Sequence, residues 1–254
     1  MTRSVLAVLA IASFLTTSAD AYELLRVDNN PCGNSQHLFW PSHSAAVNTS
    51  ILPSDRVQLA NEARLRWNTS VRGFQFQVGV GRECDANDGV ATLGFSTTSC
   101  TGESLGDALA VTRSRWRLQT GELLDADVAF NERMTILRSN DDIFLQVAMH
   151  ELGHVLGLDH SDACRASGDG TLMKSVLYQG APRIQWPTDD DIAGANFIYP
   201  SEGSGGELPQ GANSCAIASS PRRSGSGILL LGPPLLLVIR RWLVRRPQRS
   251  AEPI

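Results

Sequence analysis

The residues that can do chemistry in this chain are concentrated between positions 150 and 160. There His150-Glu151-Leu152-Gly153-His154 runs on into Val155-Leu156-Gly157-Leu158-Asp159-His160. Two histidines four residues apart on a helix share one face, about 5–6 Å apart at Cβ, so both imidazoles can reach a single metal ion. Gly157 permits a sharp turn that brings His160 back towards the same point. Three protein nitrogens leave the fourth position of a tetrahedral zinc open, which marks a catalytic rather than a structural site. Glu151 lies beside the ligand face and can reach a zinc-bound water without being a ligand, which makes it the candidate general base. With 5 His and 22 Gly in 254 residues, the full pattern arises by chance about once in 10⁵ such sequences. Ordinary helix histidines are therefore a poor explanation.

For the two histidines to share a face, the segment must be helical. A helix is predicted from Asp141 to Leu156, capped by Asn140 or Ser139, with Asp141 and Asp142 favourably placed on the helix dipole and Gly157 ending it. Upstream, Ser54 reads as the N-cap of a helix reaching Trp67. Phe74–Val78 alternates apolar and polar residues as a half-buried strand does, and Ala91–Phe95, Leu109–Thr112 and Leu124–Phe130 are further strand candidates. Gln36–Trp40 reads as extended. A last helix is predicted from Thr188 to about Tyr199, stopped by Pro200. Strands first and strong helices later indicate an α+β fold, with helices packed on a sheet.

Composition narrows the partners. Residues 22–200 carry 14 Lys and Arg against 22 Asp and Glu, a net charge of −8, so the folded part has no electrostatic footprint for nucleic acid. The ends differ from the middle. Residues 1–21 have Arg3, an apolar run over Val5–Leu15 and the small-residue site Ala19-Asp20-Ala21, the pattern of a secretory signal peptide. Residues 201–227 are rich in Gly, Ser and Pro and read as a linker. Residues 228–254 combine a short apolar run, broken by Gly232-Pro233-Pro234, with Arg240, Arg241, Arg245 and Arg246, which reads as a C-terminal anchor or sorting signal. Export suits the cysteines. Cys32, Cys84, Cys100 and Cys164 allow three disulfide connectivities. The favoured bridge is Cys84–Cys100 across a turn-rich stretch, with Cys32–Cys164 following by elimination.

His150 through His160 resembles the metzincin signature of zinc endopeptidases, and Ser161 directly after the third histidine makes the segment similar to the matrixin branch. Leu124–Asn131 looks like the strand that precedes the active-site helix there, and Asp189–Tyr199 like the closing helix. Met173 stands where that family has a Met-turn beneath the zinc histidines. The resemblance implies a metzincin catalytic domain over residues 22–200, with a mixed twisted sheet, an active-site helix and a C-terminal helix. It further implies a monomeric metalloendopeptidase acting on protein or peptide substrates. One catalytic zinc is expected, because Val128 stands where vertebrate matrixins carry a histidine for a structural zinc. By the same resemblance, a substrate edge strand falls at Leu109, Ala110 and Val111. The tail after Cys215 is similar to tripartite C-terminal sorting signals of the MYXO-CTERM type, which would retain the protein at the cell surface. Asn30-Pro31-Cys32-Gly33 matches the cysteine switch of matrixin propeptides only in part, so Cys32 is read as a disulfide half. Asp85 with Asp88, Asp125 with Asp127 and Asp162 with Asp169 are calcium candidates, although none fits a full calcium-loop pattern.

Two other readings compete with the endopeptidase. One is a proteolytically silent surface module that keeps zinc for stability, against which the intact Glu151 argues. The other is a zinc exopeptidase or non-peptide hydrolase, which the openness of the cleft would decide.

Overall fold

A computed structural model describes residues 22–201, apart from 83, 85–86, 165–169 and 178–182. The expected signal peptide, the linker beyond residue 201 and the C-terminal tail lie outside the described residues, as do Asp85 and Asp169. Among the described residues no helix is long and apolar enough to cross a membrane.

The elements run β1 (Glu23–Leu24), β2 (Ser44–Asn48), α1 (Ser54–Ser70), β3 (Gln75–Val78), β4 (Val90–Ser96), β5 (Ala110–Trp116), β6 (Leu123–Asn131), α2 (Ile136–Ser139), α3 (Asp141–Leu156), β7 (Leu158–Asp159) and α4 (Asp189–Ile198). Five strands form one mixed sheet in the order β3-β2-β4-β6-β5. Its first four strands are parallel, and β5 joins antiparallel to β6 at one edge. The α+β architecture expected of a metzincin domain is thus present, with α1 and α3 packed together.

The apolar periodicities explain the packing. Phe130 of β6 meets Phe144 of α3 at a ring separation of 4.8 Å, and Phe74 meets both Phe76 and Tyr199. Trp67 at the inner face of α1 donates its indole N–H to the Met149 carbonyl of α3 at 2.8 Å, so a buried polar atom is satisfied across the helix pair. Arg56, buried on the same helix, reaches Asp141 at the start of α3 at 2.6 Å and lies 5.3 Å above the Phe144 ring.

Several elements differ from expectation. Helix α1 begins at Ser54 itself, and Ser54 makes no capping bond. Pro53 occupies the cap position, and its carbonyl accepts from the N–H groups of Arg56 at 2.8 Å and Val57 at 2.9 Å. Strand β2 was unforeseen because Ser44-Ala45-Ala46-Val47-Asn48 lacks clean alternation, as an interior parallel strand does. Residues 36–40 are extended but contribute isolated bridges, Arg26 to His37 and Phe39 to Glu122, rather than a sheet strand. β5 extends to Trp116, beyond the expected Thr112.

Candidate active site

Helix α3 presents the site. The Asn140 side chain caps it, accepting from the Ile143 N–H at 3.0 Å, while Ser139 closes the short α2 before it. At the other end Gly157 adopts φ 118°, a backbone region closed to ordinary side chains, and a Cβ there would stand 2.8 Å from the Leu38 carbonyl. The chain therefore reverses at this residue. The returning strand β7 is held by β1, which pairs antiparallel with it, Glu23 opposite Asp159 and Leu24 opposite Leu158. The Leu25 N–H adds a bond of 2.9 Å to the Gly157 carbonyl. Just after His160, a disulfide ties Cys164 to Cys32, and a second joins Cys84 to Cys100.

This turn brings the three histidines together. Nε2 of His154 lies 3.1 Å from Nε2 of His150 and 3.2 Å from Nε2 of His160. On the far side of two of the rings, Nδ1 of His150 donates to the Leu172 carbonyl at 2.8 Å and Nδ1 of His154 to the Leu158 carbonyl at 2.9 Å. A carbonyl only accepts, so both protons sit on Nδ1 and both Nε2 atoms present lone pairs. Two lone pairs at 3.1 Å cannot hydrogen-bond each other, whereas they suit a cation placed between them. Burial pushes the pKa of His150 and His160 down and that of His154 well down, favouring the neutral imidazole that a metal ion requires. The donor set and the spacing fit a tetrahedral zinc with three protein ligands.

Glu151 is buried beside this cluster. Its Oε2 accepts a 2.6 Å hydrogen bond from the Thr112 hydroxyl on β5. Burial pushes the Glu151 carboxyl up to about 7, with the Thr112 bond pulling the other way. Met173 lies under the helix, packed so closely that a Cβ on Gly153 would run into its sulfur. It is fixed by Asp191, a fully buried carboxylate at the start of α4. Asp191 Oδ1 accepts from the Met173 N–H and Oδ2 from the Leu172 N–H, each at 3.1 Å. Oδ2 also accepts from the Thr188 N–H at 2.7 Å and the Thr188 hydroxyl at 2.6 Å. Ser161, after the third histidine, donates its N–H to the Met173 carbonyl at 2.9 Å.

The structure thus brings His150, His154, His160, Glu151 and Met173 to one place. Ala110 and Val111 lie on β5, whose second edge pairs with no strand of the sheet, and Leu109 directly precedes it. Three described members of the acidic pairs are engaged locally, whereas Asp125 has a buried Oδ1 with no hydrogen-bond partner among the described residues. Asp88 accepts from the Arg82 and Val90 N–H groups, Asp127 from Thr92, and Asp162 from the Ser175 N–H and hydroxyl. Two residues of the site were not anticipated from sequence. Asp191 had a partial signal, the Thr188-to-Asp191 capping-box spacing, which foretold a helix start but not the link to Met173. Thr112 had none, because threonine in a strand is ordinary.

Comparison with known proteins agrees with this geometry. Over 136 residues the chain is 26% identical to matrix metalloproteinase-18 of Xenopus laevis, an alignment covering 53% of this chain and 27% of that protein. The chain therefore spans little more than a quarter of that relative. The family model for matrixin matches residues 49–200, from just after β2 through α4, and includes the three histidines, Glu151 and Met173. On that match, which encloses the histidine cluster, the chain belongs to the matrixin family.

Proposed function

We propose that the protein is a zinc-dependent endopeptidase that hydrolyses peptide bonds of extracellular proteins. The observation that carries this reading is the convergence of three imidazole nitrogens, two of them fixed as lone-pair donors by backbone carbonyls, beside a buried carboxyl. His150, His154 and His160 hold the metal. Zinc, when bound, polarises the scissile carbonyl and makes water acidic enough to ionise near neutral pH. Glu151 takes the proton of the attacking water and returns it to the departing amine as the C–N bond breaks. The open side of β5, with Leu109, Ala110 and Val111, receives the substrate as an added strand, which holds a peptide backbone without demanding a sequence. Met173 forms the apolar floor under the histidines.

The same reading assigns residues 1–21 to export, 22–200 to catalysis, 201–227 to a linker and 228–254 to attachment at the membrane or cell surface. The protein acts as a monomer.

The test is cleavage of a quenched peptide library by the purified protein, wild type beside Glu151→Ala, with zinc measured on both. About one zinc in each and cleavage by the wild type alone is expected. Zinc in both without cleavage by either indicates the silent zinc-binding module. Trimming from peptide ends alone indicates an exopeptidase. Zinc in neither removes the basis of the proposal.

A further inference from the structure

Thr112 stands in the middle of β5, the edge strand, with its hydroxyl turned to the base of the proposed reaction. Its Oγ1 lies 2.6 Å from Glu151 Oε2 and 3.3 Å from the Glu151 carbonyl. A hydroxyl has one proton to donate, and the shorter distance is that of an O–H···O bond to an ionised carboxylate. Among the described residues this is the one donor to the Glu151 carboxylate, and none donates to Oε1. A glutamate held only by its own backbone has three side-chain torsions to search. The hydroxyl removes that freedom at one oxygen and leaves the other for proton transfer.

The support is rigid. Thr112 is paired with Val128 across the β5–β6 ladder, so the sheet register sets its position. Its β-branched side chain is stiff at χ1, so the direction of the hydroxyl follows from the strand. The contact also joins two parts of the site, because the strand with the open edge is the one that steadies the carboxylate.

We propose that Thr112 is a positioning residue for Glu151, orienting its carboxylate through this hydrogen bond. The proposal rests on the reading of Glu151 as general base. It separates Thr112 from a residue that merely fills the sheet, since a filler acts through its shape and a positioning residue through its hydroxyl.

The experiment compares Thr112→Val, which keeps the shape and loses the hydroxyl, with Thr112→Ser, which keeps the hydroxyl. Five quantities are measured on the full protein: kcat and KM on a quenched peptide, bound zinc, melting temperature, and acetohydroxamate affinity of the zinc-loaded form by calorimetry. Acetohydroxamate chelates zinc and needs an acceptor for its proton, so it reports on the carboxylate without turnover. Thr112→Val is expected to lower kcat about tenfold, with KM within about twofold, and to weaken acetohydroxamate by a similar factor. Zinc content and melting temperature stay near wild type, and Thr112→Ser recovers most of both losses.

Equal losses in the valine and serine variants overturn the proposal, as does an unchanged kcat in Thr112→Val. A fall in zinc content and melting temperature that accounts for the lost rate assigns Thr112 a structural role and also overturns it. If the wild type cleaves nothing, the endopeptidase reading fails by itself and the acetohydroxamate comparison decides the role of Thr112. Weaker binding to the valine variant alone then supports it, and equal binding to all three proteins refutes it.

Discussion

Replacing Asp191 by alanine removes an acceptor that serves four donors at once: the N–H groups of Leu172 and Met173, and the N–H and hydroxyl of Thr188. Hydrogen bonds to a charged group contribute about 1.5–3 kcal/mol each, so full loss of all four would cost about 6–12 kcal/mol. Thr188 is only partly buried and its two donors regain water, so the Met-turn N–H groups dominate the loss. A net cost of about 3 kcal/mol follows, and for a domain of this size it lowers the melting temperature by about 6–12 °C. The effect should reach the metal through one peptide group. The bond between Leu172 and Met173 donates its N–H to Asp191 and accepts at its carbonyl from His150 Nδ1 at 2.8 Å, so the carboxylate polarises the group that orients a ligand. Loss of that support is expected to weaken zinc binding about tenfold. Asp191→Asn, which keeps one oxygen acceptor, should fall between. Thermal unfolding followed by circular dichroism, and zinc affinity measured by competition with a chromogenic chelator, give the two numbers. An alanine variant that melts within about 2 °C of wild type would refute the energetic argument. Unchanged zinc affinity in a clearly destabilised variant would sever the proposed link to His150.

Two further outcomes follow from the cross-links and from a buried carboxyl. The Cys32–Cys164 bridge closes 132 residues and Cys84–Cys100 closes 16, so their chain-entropy contributions are about 5 and about 3 kcal/mol. Serine replacement of the first pair should therefore lower the melting temperature more than replacement of the second, and the reverse order would defeat the loop-length account. Asp125 on β6 is pushed up to about 6 by burial and then by the charges of Asp127 and Asp88, against the opposing pull of Arg115. Its folded value lies above its unfolded one, so the stability it contributes is full below about 4 and lost as the pH rises through about 6. In calcium-free buffer, the melting temperature of Asp125→Asn relative to wild type should rise across that interval and level off above it. A difference independent of pH would show that the carboxyl does not titrate as its burial requires.

The ligand set was legible because it is made locally. Helical spacing aligns His150 with His154, and one glycine with positive φ returns His160, so eleven consecutive residues suffice to write the metal site. The strands with alternating or β-branched residues were legible for the same reason. What could not be read is what holds the site in place, because each support comes from a distant part of the chain. Strand β1 has two residues and no pattern of its own, and it exists because β7 is there to pair with. Trp40 and Tyr199 arrive from opposite ends of the domain to donate to the carbonyls of Val155 and Leu156 at 2.8 Å each, in the last turn of α3. Asp191 is visible as a helix start, but its reach to Leu172 and Met173 depends on how α4 docks. Thr112 becomes significant only when the sheet register sets it opposite Glu151. The division is physical, since periodicity and caps are properties of neighbours along the chain whereas buried hydrogen bonds are properties of packing. A chain can therefore keep every residue from His150 to His160 and still lose the ordered base or the steadied ligand, through changes at Thr112 or Asp191 that leave the motif untouched.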